Sequence, residues 1–100
     1  MIATIWRFQV PTASAGAFEH AYGPAGDWAD LFARAPGHVG TELLKLDGED
    51  GVYVTIDRWN TEAEFHAAKK MLEREYAALD RRCDAYTSEE TWLGLYTIRE

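Results

Sequence analysis

The sequence predicts an α+β fold with the element order β-α-β-β-α-β, and hydrophobic periodicity, turn chemistry and chain length each point to it. Four segments show either period-two alternation or a dense run of β-branched and aromatic residues. They are interleaved with stretches in which apolar residues recur every three or four positions. Clusters of Gly, Pro and Asp separate these segments. One hundred residues suffice for one modest hydrophobic core, so residues 1–100 are expected to form a single domain.

Residues 2–10 place Ile2, Thr4, Trp6, Phe8 and Val10 on one strand face and Ala3, Ile5, Arg7 and Gln9 on the other. Pro11 ends this strand because it has no N–H for the ladder. Thr12 or Ser14 is the expected cap of a helix whose apolar side carries Phe18, Ala21 and Tyr22, and which breaks at Gly23-Pro24. Asp27 is the expected cap of a second helical piece. There Trp28, Leu31, Phe32 and Ala35 fall at i, i+3, i+4 and i+7, and Pro36-Gly37 ends it.

Residues 38–46 and 52–59 are joined by DGEDG and are expected to pair as an antiparallel hairpin. Thr61 and Glu64 make a capping-box pattern. Behind it Phe65, Ala68, Leu72, Tyr76, Leu79 and Cys83 continue one stripe, so a single long helix is expected. TWLGLYTI, at 91–98, reads as the last strand. This order is that of the ferredoxin-like split βαβ arrangement, a four-stranded antiparallel sheet with the helices on one face.

The other sheet face is then left without helices. Yet the strands carry large apolar side chains on both alternations, as in Ile5 beside Trp6, Leu43 beside Leu44 and Trp92 beside Leu93. Two sheets packed face to face across a twofold axis would cover it, so a homodimer through the sheet face is expected.

Ten Lys and Arg against 17 Asp and Glu give a net charge of −7, which repels nucleic-acid phosphates and anionic membrane surfaces. The same element order also occurs in RNA-binding modules, but that charge and the absence of a K/R-G-F/Y strand motif oppose this reading. No run approaches the ~18 apolar residues of a membrane span. The N-terminus lacks the basic start and apolar run of a secretory signal, so no membrane association and a cytoplasmic location are expected. Cys83 is the single cysteine, and His20, His38 and His66 show no ligand spacing, so neither a disulfide nor a metal is expected.

The segment running from GDWADLFARA through residues 36–86 resembles the antibiotic biosynthesis monooxygenase domain family, and the resemblance spans nearly the whole chain. It is carried most specifically by PGHVGTELL at 36–44, YVTIDRWNTEAEF at 53–65 and EYAALDRRC at 75–83. The resemblance implies a dimeric α/β barrel that oxygenates quinol or anthrone-like aromatics with molecular oxygen and no metal, flavin or haem. It also implies a site between the sheet and the helices. The haem-degrading branch of the family uses an Asn in the first strand and a His on the later helix. Here IATIWRFQV has no Asn, and the late helix offers Tyr76.

Oxygenation without a cofactor asks the protein for a base and a dry cavity. His is the natural first suspect for the base. His20 lies opposite the apolar side of its helix, and His66 is spaced to meet Glu62 at i to i+4 on a solvated side. His38 enters a strand directly after Pro36-Gly37, facing a cavity or ending the sheet. Trp59 either walls a cavity or staples strand to helix, and the Tyr76 hydroxyl needs a partner, either substrate or a backbone carbonyl.

His38, Trp59 and Tyr76 are therefore the candidate catalytic residues. Tyr22, Trp28, Phe32, Phe65 and Leu72 are the candidate substrate-binding residues, with ordinary core packing as the competing reading. Arg7 and Arg58 are strand charges suited to interface ion pairs or to clamping an anion, and Asp57 points to the face opposite Arg58.

The leading functional expectation is a cofactor-independent monooxygenase acting on a small aromatic quinol, anthrone or polyketide-like compound. The alternative is a small-molecule-binding protein of the same fold without turnover, and haem degradation is a third reading. A ligand that quenches Trp fluorescence without being consumed in air separates the second from the first.

Overall fold

The computed structural model describes all 100 residues. In chain order they form β1 (Ile2–Gln9), α1 (Ala15–Tyr22), α2 (Asp27–Phe32), β2 (His38–Lys45), β3 (Val52–Trp59), α3 (Glu62–Met71), α4 (Glu73–Cys83) and β4 (Glu89–Thr97). Short 3₁₀ turns precede α1 at Thr12–Ser14 and follow α4 at Asp84–Tyr86. The strands make one antiparallel sheet in the order β2-β3-β1-β4, the ferredoxin-like arrangement that the element order predicts.

Register decides which side chains meet the helices. β1 and β3 pair without interruption from Ile2 opposite Trp59 to Gln9 opposite Val52. This places Ile2, Thr4, Trp6 and Phe8 on the same face as Trp59, Asp57, Thr55 and Tyr53. That face is the one under the helices: the Phe8 ring lies 5.3 Å from Phe18 and 5.0 Å from Tyr22, and Trp59 lies 5.5 Å from Phe65. Phe18, Tyr53 and Trp59 are among the most deeply buried side chains. Burial of Phe18 alone contributes roughly 1.5–3 kcal/mol. The Tyr53 hydroxyl donates to Glu19 and so ties the sheet to α1, and that bond pushes the Tyr53 pKa up to about 12.

On the outer face Ile5, Val54 and Ile56 are half-buried, while Leu44, Leu93 and Tyr96 are exposed. Arg58 pairs there with Glu42 at 2.6 Å. No helix is long and apolar enough to cross a membrane.

Four expectations about local structure need correction. The stripe from Phe65 to Cys83 is carried by two helices, because Leu72 leaves the helical basin at φ −100° and ψ 14°. The break lets α3 stay on β3 while α4 turns to pack against α2, two directions that a straight rod cannot follow together. Neither Thr12 nor Ser14 caps α1 with its side chain; the 3₁₀ turn instead directs the Ser14 N–H to the Pro11 carbonyl. Gly26, and not Asp27, is the N-cap of α2. The chain passes so close to α1 there that a Cβ on residue 26 would lie 2.3 Å from the His20 carbonyl oxygen. β4 begins two residues earlier than its apolar run, at Glu89, because pairing with Gln9 and Phe8 extends it.

The capping box at α3 does form: the Glu64 N–H donates to Thr61 Oγ1 at 3.1 Å, and the Thr61 hydroxyl donates to Glu64 Oε1 at 2.9 Å.

Candidate active site

A cavity of about 670 Å³ lies between the inner sheet face and the helices. Its floor crosses all four strands, with Thr41 on β2, Thr55 and Asp57 on β3, Thr4, Trp6 and Phe8 on β1, and Glu90 and Trp92 on β4. Tyr22, Trp28 and Phe32 from α1 and α2 wall one side. The roof is Phe65, His66 and Lys69 from α3 with Tyr76 and Asp80 from α4. The break at Leu72 positions both roof helices, so the departure from the expected single helix is also what shapes the cavity.

Eight of the 16 lining residues are Trp, Tyr or Phe. Trp28 lies 4.9 Å from Tyr76 and 5.8 Å from Tyr22, and Trp6 lies 5.2 Å from Trp92. At the rim the Lys69 ammonium sits 4.9 Å from the centre of the Tyr76 ring and 6.0 Å from that of Phe65, a cation–π arrangement.

Asp57 is the charged group at the centre of the floor. Thr4 on β1 and Thr41 on β2 flank it directly across the strands. Its Oδ1 accepts from the Thr41 hydroxyl and, at 3.0 Å, from His38 Nε2. The imidazole presents its Nε2 proton because an ionised carboxylate can only accept. Thr41 Oγ1 and His38 Nε2 are 3.3 Å apart, which closes the triangle. The side chains of His38 and Asp57 are 5% and 10% exposed, so two directed donors offset much of the cost of burying the carboxylate. Oδ2 makes no bond to the protein, and Asp57 lines the cavity. The arrangement presents a fixed carboxylate oxygen to whatever occupies the cavity, with the imidazole behind it.

Other titratable groups surround the far end. Burial, reinforced by the negative charges of Asp80, Glu90 and Asp57, pushes the Tyr76 pKa up to about 12, so its hydroxyl stays protonated at neutral pH. Burial, with Cys83 and Glu90 nearby, raises Tyr22 further still. Glu90 is also raised, by burial first and then by repulsion from Asp80 and Asp84.

Among the sequence candidates, Tyr76, Tyr22, Trp28, Phe32 and Phe65 line the cavity. His38, Trp59 and Leu72 do not. His38 touches the site through Asp57, and its ring packs 4.9 Å from Trp59 and 5.7 Å from Phe32. Trp59 is 1% exposed and packed among Phe32, His38 and Phe65. Leu72 is buried at the turn between α3 and α4. His66 meets Glu62 at 3.2 Å, as its i to i+4 spacing predicts, and also stands at the cavity rim. Arg58 and Asp57 lie on opposite faces, as strand alternation requires.

The sequence reading missed the polar floor of Thr4, Thr41, Thr55 and Asp57. A usable signal was present: within YVTIDRW the alternation sets Thr55 and Asp57 on the face that Tyr53 and Trp59 mark as buried.

The antibiotic biosynthesis monooxygenase family model matches residues 1–73. The chain belongs to that family. The match covers β1 through α3, the elements that carry every one of those four floor residues together with His38, Phe65 and Lys69. No curated protein matches the sequence.

Among solved structures, a mutant of SnoaB, a cofactor-independent oxygenase from Streptomyces nogalater, superposes with a TM-score of 0.77 and 29% identity. That alignment covers 99% of this chain and 93% of SnoaB. A further SnoaB structure, determined to 1.9 Å resolution, gives a TM-score of 0.69 at 26% identity over the same shares of both chains. MhuD, crystallised with two manganese protoporphyrin IX bound per active site, shares the fold with a TM-score of 0.71 and 18% identity, covering 100% of this chain and 96% of its own.

Proposed function

We propose that this member of the antibiotic biosynthesis monooxygenase family is a cofactor-independent monooxygenase of small aromatic substrates, a quinol, an anthrone or a related polyketide-like compound. The observation that carries this reading is the Asp57 carboxylate, held by His38 and Thr41 on the floor of an aromatic cavity with one oxygen free. The likeness to SnoaB supports the reaction class.

The chemistry follows from that geometry. Asp57 removes a proton from an acidic C–H or O–H of the substrate, leaving an electron-rich anion spread over the rings. The anion passes one electron to O₂, and the resulting radical pair combines into a peroxide. Protonation and loss of water then leave a new carbonyl. For an anthrone-type methylene the sum is CH₂ + O₂ → C=O + H₂O, in which the substrate supplies all the electrons. The ring-lined walls keep solvent from the anion and the peroxide.

A porphyrin suits this cavity poorly. The one imidazole on its wall, His66, is 62% exposed and held by Glu62, so no buried nitrogen is presented to an iron.

Two copies of the chain pack through the outer sheet face. Support comes from the aliphatic cluster of Ile5, Val54, Ile56 and Leu44, which no element of the fold covers.

Oxygen uptake by chelator-treated protein, with a panel of hydroquinones and anthrones measured against their own autoxidation, tests the reading. Uptake above that background, unchanged by chelator, is expected. Uptake that chelator abolishes, or none across the panel, would overturn it.

A further inference from the structure

The cavity holds one floor hydroxyl with no task in the fold. Thr55 is 5% exposed and lines the cavity, and its hydroxyl, unlike those of Thr4 and Thr41, makes no hydrogen bond to the protein. The other two floor threonines are engaged: Thr41 donates to Asp57 Oδ1, and Thr4 reaches the Asp57 main-chain carbonyl at 3.5 Å. The hydroxyl opens onto the cavity and is free to bond to a group that enters there.

Its position defines that partner. Thr55 precedes Asp57 by two residues on β3 and points to the same face, so its side chain stands about 7 Å along the strand from the carboxylate. Trp6 lies opposite it on β1 and Leu43 opposite it on β2, which leaves the hydroxyl as the polar group between two apolar neighbours. Both Asp57 and Thr55 sit on the central, fully paired part of the sheet, so their separation is held by the backbone ladder.

When Asp57 takes a proton from one position of a conjugated ring system, the bonding electron pair moves through the rings to a carbonyl oxygen on the far side. That oxygen becomes an enolate or phenolate and needs a hydrogen-bond donor. We propose that the Thr55 hydroxyl is this donor, so that Asp57 and Thr55 together select substrates whose acidic position and carbonyl face each other across one ring. The proposal rests on the oxygenase reading for its proton transfer. Its recognition half, a donor to a ligand carbonyl, is measurable without turnover. No electron leaves the substrate in this step: the C–H or O–H bond breaks, the proton goes to Asp57, and the charge goes to the oxygen bound by Thr55.

Thr55→Val removes the hydroxyl while conserving shape and strand preference, and Thr55→Ser restores it. With an anthrone substrate, Thr55→Val is expected to lower kcat about 10- to 100-fold with KM within about twofold, and Thr55→Ser to recover most of that loss, because the bond strengthens as charge develops. A second readout uses bound anthraquinone and its carbonyl stretch in difference infrared spectra. The band is expected to shift to lower wavenumber in the wild type and in Thr55→Ser, and to lose that shift in Thr55→Val. An identical band in wild type and Thr55→Val, or no bound quinone at all, overturns the proposal whatever the oxygen uptake. A hydroxyl-dependent band without oxygen uptake upholds the carbonyl donor and overturns the oxygenase reading.

Discussion

The two faces of the sheet differ at their centres. Beneath the helices, where burial is deepest, stand Thr4, Thr41, Thr55 and the carboxylate of Asp57. On the face without helices stand Ile5, Val54, Ile56 and Leu44, with Tyr96 and Leu93 on the edge strand. A sheet made only for stability would place aliphatic residues under its helices and polar ones outside. The difference teaches that the polar centre of the inner face borders a cavity, whereas the aliphatic centre of the outer face lies open. Aromatic packing at the ends of the inner face supplies the stability that its polar centre does not.

The largest expected effect breaks the inner face chemically. Asp57→Asn keeps the volume and removes the charge, and it is expected to lower kcat about 100- to 10,000-fold in oxygen-electrode assays with an anthrone. Retention of full activity would move the base elsewhere in the cavity. Trp59→Ala attacks the packed end of the same face. It is expected to cost about 3–5 kcal/mol in urea unfolding, because a buried indole packed among three rings leaves a void.

The outer face is tested by Ile56→Asp, which places a charge opposite Ile5 in the centre of the aliphatic cluster. Light scattering is expected to give the mass of two chains for the wild type and of one chain for this variant. A wild type of single-chain mass at micromolar concentration would dismiss the interface.

A smaller effect concerns pH. Burial and the repulsion of Asp80 and Asp84 raise the folded-state pKa of Glu90 above its unfolded value. Its contribution is therefore fully present below the unfolded pKa and is lost as pH rises through the folded one. Glu90→Gln is expected to be more stable than the wild type at pH 8, and the advantage is expected to vanish near pH 4, as read by urea midpoints at both values. The smallest effect belongs to the exposed pair of Arg58 and Glu42. Arg58→Ala is expected to change unfolding stability by less than about 1 kcal/mol, despite the 2.6 Å contact.

Much of the fold was legible from local pattern. The alternation of IATIWRFQV marks β1 and assigns Trp6 and Phe8 to one face, and Thr61 with Glu64 marks the start of α3. The break at Leu72 was not legible. Neither Gly nor Pro marks it, and the apolar stripe runs through it; the turn arises because α3 and α4 pack on different partners. Tyr22, Trp28, Phe32, Phe65 and Tyr76 are legible as ring-bearing residues near a cavity, and His38 is legible as a candidate base, but its meeting with the cavity through Asp57 is not. The alternation of YVTIDRW sets Asp57 on the face of Tyr53 and Trp59, but the pairing that brings His38 and Thr41 to it lies outside that window.

The sequence by itself determined the strands, most of the helix starts, the family and the surplus of apolar side chains for one sheet, because these depend on period, caps and composition within short windows. Only the tertiary structure decided that Asp57, His38 and Thr41 form one hydrogen-bonded unit and that Thr55 stands beside it unpaired. The physical reason is register. The β2–β3 pairing, with its bulge between His38 and Gly40, brings residues 16 and 19 positions apart onto one carboxylate oxygen, and no local pattern encodes that meeting.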